Sequence, residues 1–176
     1  MIDLRQSEYE ALRATIRERG TMRLWAILAG FSIWGALAIS VLITDLQGSI
    51  TLVPLILLAA TFEVNFFVHT GVERIGRYIQ VFHEEASGAP GWETAAMNYG
   101  SAFPARGLDP LFVSLFSISA AVNFLSALAA SIGHPVWIAF SVIAHGIFAY
   151  RIVTARKIAS AQRAVDLDRF RNMTSK

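Results

Sequence analysis

Four stretches of the chain are almost uninterrupted apolar sequence, each bounded by charged or turn-forming residues: 24–43, 50–70, 111–132 and 136–153. A helix rises about 1.5 Å per residue, so about twenty residues span about 30 Å, the thickness of a bilayer's hydrocarbon core. The pattern predicts an all-α, polytopic membrane protein, a single four-helix membrane domain with four transmembrane helices. Ala36-Leu37-Ala38 in the first stretch resembles a signal-peptide cleavage site. The polar leader before it is long and the apolar run continues past it, so an uncleaved span is expected. That span carries small residues in two ladders, Ala26/Gly30 and Ser32/Ala36/Ser40. Such ladders let helix backbones approach closely where no hydrophobic effect drives association.

The segments between the spans also have helical signatures. Residues 1–22 place Leu4, Tyr9, Leu12 and Ile16 on a thin apolar stripe among Arg5, Arg13, Arg17 and Arg19. This predicts an N-terminal amphipathic helix, lying on anionic headgroups or docked on the protein's own cytoplasmic face. Ser7 and Glu10 have the spacing of a capping box, and Gly20 suits a helix end. The second span has no clear breaker before Ser87-Gly88, so Ile50–Glu85 is expected to be one helix of about 54 Å, projecting about 24 Å beyond a 30 Å core. Pro54 falls near its first turn, where a missing N–H costs least. Ala86–Asp109 reads as a loop, with a short helix over Trp92–Tyr99 whose two aromatic ends suit a membrane interface. Asp109-Pro110 is an N-cap followed by proline at the first helical position. Gly133-His134-Pro135 permits only a tight turn, making the third and fourth spans an antiparallel hairpin. From Arg151 the fourth helix is expected to continue to about Arg171 within a cytoplasmic 154–176 segment, with Ala155, Ile158, Ala161 and Val165 as a narrow apolar face.

Composition agrees with this architecture: 55% of the 176 residues are hydrophobic and 16% charged, against about a quarter charged in ordinary soluble domains. Mean hydropathy is +0.50. With no cysteine, disulfides, thiolate metal sites and cysteine nucleophiles are excluded. All 15 Lys and Arg fall within 1–23, 70–109 and 150–176, and the turns 44–49 and 133–135 contain none. The positive-inside rule then predicts a multi-pass protein of the bacterial inner membrane with both termini and the 71–110 segment cytoplasmic. The arginine-rich C-terminus reads as positive-inside charge and contact with lipid headgroups rather than as nucleic-acid binding.

Candidate chemistry is sparse. Glu63 lies about 20 Å along the second span counted from Ile50. An ionisable group at such depth normally faces protein or water and marks a functional candidate. Asn65, Asn123, Ser141 and His145 are the other polar residues at usable depth, and His145 is within about 6 Å of Glu63 in depth by helix rise. A Glu63–His145 pair could bind or relay a proton; alternatively, a protonated Glu63 could be polar glue between helices. A second pattern follows the same helix outward: after Asn65 come His69, Glu73 and Arg77 at four-residue spacing, with Gln80 and Glu84 close to its continuation. It reads as a candidate cytoplasmic docking stripe, a proton path, or a solvated salt-bridged face. Metal and haem sites fail on geometry: Glu63 and His69 lie about 120° apart around the helix, and His69 and His145 differ by about 15 Å in depth. No cofactor is expected. Nucleophile elbows and phosphate-cradling glycine motifs are absent.

These features favour a non-catalytic accessory, scaffold or assembly subunit of a larger inner-membrane complex, respiratory or photosynthetic for example, with other membrane-protein subunits as partners. A homo-oligomeric channel or proton-coupled transporter using Glu63 and His145 is the alternative, although no inverted repeat or broken mid-membrane helix supports it. An interfacial membrane enzyme or lipid-binding protein built on His69, Glu73 and Trp92 is the third reading.

Overall fold

The computed structural model describes residues 4–44, 48–88, 91–102 and 110–174. These residues contain five α-helices, one 3-10 turn and one π-helical segment, and no strand. The helices are α1 (Leu4–Ile43), α2 (Val53–Ile79), α3 (Trp92–Ala102), α4 (Pro110–Ala130) and α5 (Pro135–Thr174); the 3-10 turn Gly48–Leu52 precedes α2 and the π segment Gln80–Glu85 extends beyond it. Four helical stretches are long and apolar enough to cross a membrane: Leu4–Ile43, Gly48–Glu85, Phe112–Ala130 and Pro135–Thr174.

Gly20 does not end a helix. α1 runs unbroken through it, and Ser7 lies inside the helix rather than capping it. An interior glycine costs about 1 kcal/mol relative to alanine. Arg17, Arg19, Met22 and Leu24 are strong helix formers around it, so a weak stop signal yields to its neighbours. The long second helix is also not uniform, since it starts as a 3-10 turn and ends in the π segment. Pro54 does occupy the first turn of α2, and the helix at Trp92 extends to Ala102. The tight turn between α4 and α5 is present, with Gly133 at φ 88 and the His134 carbonyl accepting from the Trp137 and Ile138 amides. Asp109, and residues 45–47 of the first turn, lie outside the described residues.

The chain divides into two compact units. One comprises Trp25–Asn65 and Leu108–Ala155 and contains the apolar parts of α1, α2, α4 and α5. Its core is aromatic. Phe62, fully buried, packs against Phe112 (5.6 Å between ring centroids), Phe116 (5.2 Å) and Phe148 (5.8 Å), and Phe31 closes on Phe116 at 5.1 Å. Rings from all four helices therefore share one centre, mostly in the edge-to-face arrangement their quadrupoles favour. Gly30, buried on α1, lies so close to Thr61 of α2 that a Cβ there would collide with the threonine side chain. Gly30 of the Ala26/Gly30 ladder thus lies at a helix contact, whereas Ser32, Ala36 and Ser40 are not buried.

The other unit comprises Met1–Leu24, Phe66–Gly107 and Arg156–Lys176. Its centre holds Ile79 and Val81 with a Tyr78–Phe82–Phe170 ring cluster, and ion pairs surround it. The inward face of α5 differs from the one its apolar spacing predicts. Within this unit Ala159 and Asp166 are buried while Ile158, Ala161 and Val165 are exposed; Ala155, on the expected face, is buried in the first unit. In this unit Arg74 of α2 pairs with Asp166, which lies on the buried face of α5.

Candidate functional site

The structure separates the polar residues expected to cluster along the spans. His145, buried on α5, lies 3.0 Å from the Asn123 amide on α4 through Nε2, and its Nδ1 lies 2.8 Å from the Ser141 carbonyl one turn earlier. A neutral imidazole with its proton on Nδ1 satisfies both contacts, since Nδ1 donates to the carbonyl and Nε2 accepts from the amide. The Ser141 hydroxyl stands 3.3 Å from the same Nδ1, and Phe124 packs beside the ring at 5.0 Å. Asn123, Ser141 and His145 therefore form one buried polar clasp. Asn65 is fully buried on α2 and donates to the Thr61 carbonyl of its own helix at 2.8 Å.

Glu63 does not join that clasp. Its partner is Arg151 of α5, whose Nε lies 2.7 Å from Oε1 and whose Nη2 donates to Oε2 at 2.9 Å. This paired-fork geometry is the strong form of an arginine–carboxylate contact. The guanidinium also lies over the Phe62 ring, 5.6 Å from its centroid, which ties the pair to the aromatic core. Half of the Glu63 side chain remains exposed, and just over a quarter of Arg151. The expected Glu63–His145 pair is thus replaced by a Glu63–Arg151 pair. The clasp, which has no carboxylate hydrogen-bonded to its imidazole among the described residues, is suited to holding α4 on α5.

The stripe farther along α2 is not an open docking face either; its side chains are consumed inside their own unit. Glu73 pairs with Arg163 of α5 and lies 3.8 Å from His69. Arg77, buried, donates to Gln80 at 2.7 Å and to Glu93 of α3 at 3.3 Å, and Glu93 also takes Arg13 of α1 at 2.8 Å. Burial holds the Arg77 guanidinium below its ordinary pKa, partly offset by Glu93. Glu84 caps α3: its Oε1 accepts from the Glu93 amide at 2.8 Å, and its Oε2 from the Thr94 amide and hydroxyl, each at 2.7 Å. Burial acts to raise its pKa, but these three donors outweigh it and hold Glu84 below the ordinary range. Such a carboxylate satisfies amides that the first turn of a helix leaves open, at the positive end of the helix dipole. Glu85, at the end of the π segment, forms a two-point contact with Arg171 at 2.6 and 3.2 Å, which lowers its pKa despite partial burial. Trp92 is exposed at the start of α3.

Sequence reasoning misses Arg151, Glu93 and Asp166. In the sequence Arg151 reads as topological charge, Glu93 as part of the short helix over Trp92–Tyr99 and Asp166 as part of the fourth helix's extension, and helix spacing alone does not say which faces meet. The signal present is that Arg151 is the one Lys, Arg, Asp or Glu within the fourth apolar run, 136–153. Among the described residues, no three His, Asp or Glu side chains come together as a metal site. No known protein family, curated protein or solved structure matches the chain.

Proposed function

We propose that the chain is a multi-pass protein of the bacterial inner membrane, with both termini and the 71–110 segment cytoplasmic, and that it acts there as a non-catalytic accessory or scaffold subunit of a larger complex. The observation that carries this reading is the Glu63–Arg151 pair. It lies on helices apolar enough to span a membrane, yet half of Glu63 is exposed. An ionised side chain facing hydrocarbon costs about 2.5–3.5 kcal/mol at mid-membrane on insertion scales. Pairing offsets part of that cost, and a polar surface of another subunit over the exposed half removes the rest.

The exposure of α1 supports the same reading. Only 11% of the residues in its most apolar window are buried, against 44% for the second candidate span. Ser32, Ala36 and Ser40 lie at least partly uncovered along it, a face that a neighbouring helix can approach closely.

The test is the native mass of the full chain after mild detergent extraction. An assembly containing other polypeptides in fixed ratio is expected. Glu63→Gln should reduce the assembled fraction by about tenfold, the effect of losing about 1.4 kcal/mol of coupling. Migration as a monomer alone would contradict the proposal, and a pure homo-oligomer would favour a channel or transporter built from copies of this chain.

A further inference from the structure

Within the second unit, α1, the second half of α2 and α5 enclose a half-open cleft of roughly 430 Å³. Phe66, Phe67, Ile75 and Ile158 give it apolar walls, and Arg19 and Arg74 bring two guanidinium groups to it. Neither arginine is used up by the protein. Arg19 is half-buried and makes no ion pair or side-chain hydrogen bond among the described residues. Its guanidinium lies close over Gly71, where a Cβ would stand 2.6 Å from an Arg19 terminal nitrogen. Arg74 donates from Nε to Asp166 Oδ2 at 3.1 Å, and Gln162 holds the other Asp166 oxygen at 2.8 Å. Asp166 is therefore an orienting group, and both terminal amino groups of Arg74 remain available to a ligand.

Two arginines and one carboxylate leave the cleft with one net positive charge. A phosphodiester carries one negative charge, and arginine's planar fork matches phosphate oxygens. The walls point to what is attached. Phe67 is 76% exposed and Ile158 46%, surfaces that suit acyl chains better than water. The cleft also opens where the apolar run of α2 gives way to charge, the level at which lipid headgroups lie if the spans insert as proposed. We infer that this cleft is a binding site for one anionic phospholipid, its phosphodiester held between Arg19 and Arg74 and its chains against Phe66, Phe67 and Ile158. The site is complete within this chain and does not depend on a partner subunit.

The test uses the full chain, delipidated in neutral detergent and titrated with phosphatidylglycerol, phosphatidylcholine or inorganic phosphate, with bound ligand counted by native mass spectrometry. One phosphatidylglycerol per chain is expected. Arg19→Gln and Arg74→Gln should each weaken its retention by about tenfold, the effect of one charge-assisted hydrogen bond, and Arg19→Gln, which breaks no ion pair, should do so with an unchanged lipid-free melting temperature. Gly71→Leu, which keeps both charges but displaces Arg19, should weaken it similarly, and Arg171→Gln, outside the cleft, should leave it intact. Equal retention of phosphatidylcholine would overturn the inference. So would equal occupancy by inorganic phosphate, or an effect of Arg171→Gln as large as that of Arg19→Gln. An Arg19→Gln chain that melts lower yet keeps its lipid would assign the arginine to structure alone and overturn it too.

Discussion

Arg151 comes directly after Tyr150 at the point where the apolar part of α5 gives way to charge, and from there its guanidinium meets Glu63 through two contacts. Helix rise places Glu63 about 20 Å from Ile50 and Arg151 about 22 Å from Val136, a better match in depth than His145 offers. The pair is therefore within reach of sequence arithmetic, but a charge at the end of a span reads first as topology. Depth cannot supply the rotation of α5 about its axis, which turns His145 toward Asn123 on α4. That clasp makes its own prediction. Asn123→Ala leaves a buried imidazole nitrogen without its partner, a change that costs about 1–3 kcal/mol. The purified protein should melt at a lower temperature, and His145→Leu in the same background should recover part of the loss by removing the orphaned group. Equal melting of Asn123→Ala and the wild type would show that the clasp contributes nothing to stability.

Among the elements, α3 shows how a short helix is fixed by a side chain from elsewhere. Its first turn is capped by Glu84, which the π segment delivers. A π turn carries one more residue than the α-helical turn it replaces and so shifts the phase of the residues beyond it. Here Glu84 is buried against α3 while its neighbour Glu85 reaches Arg171 on α5. The i, i+4 stripe over His69, Glu73 and Arg77 is legible in the sequence because regular spacing continues there. The π segment is not legible, since nothing in Gln80-Val81-Phe82-His83-Glu84-Glu85 marks a change of period. The depressed pKa values of Glu84 and Glu85 fix the sign of a pH effect. A carboxylate whose pKa is lower folded than unfolded contributes stability above the unfolded value, about 4.3 for glutamate, and loses it as pH falls through the folded value. Protection of the Glu93 and Thr94 amides from hydrogen exchange should thus be intact near neutral pH and decline in acid. Glu84→Ala should reduce that protection at neutral pH by an amount equivalent to a lost helix cap, about 1 kcal/mol. Unchanged protection in both cases would show that Glu84 does not hold the first turn of α3.

For the whole molecule, four long apolar helices are legible because composition and run length alone suffice to specify them. Which faces those helices present is not, since their apolar stretches are apolar nearly all round and their core is formed by the Phe62–Phe112–Phe116–Phe148 rings. The chain contains no cysteine, which makes single-cysteine labelling a direct check on topology. Ile132→Cys, in the turn side of the α4–α5 hairpin, should react with a membrane-impermeant thiol reagent on intact cells. Met173→Cys, near the end of α5, should react only after lysis, and the reverse pattern would invert the proposed orientation. In the proposed complex another protein covers the Glu63–Arg151 edge. The most direct test is a photocrosslinking amino acid at Tyr150, an exposed position beside Arg151. An adduct with a different polypeptide, lost in the Glu63→Gln chain, is the predicted result. Adducts only with lipid or with a second copy of this chain, unaffected by Glu63→Gln, would contradict it.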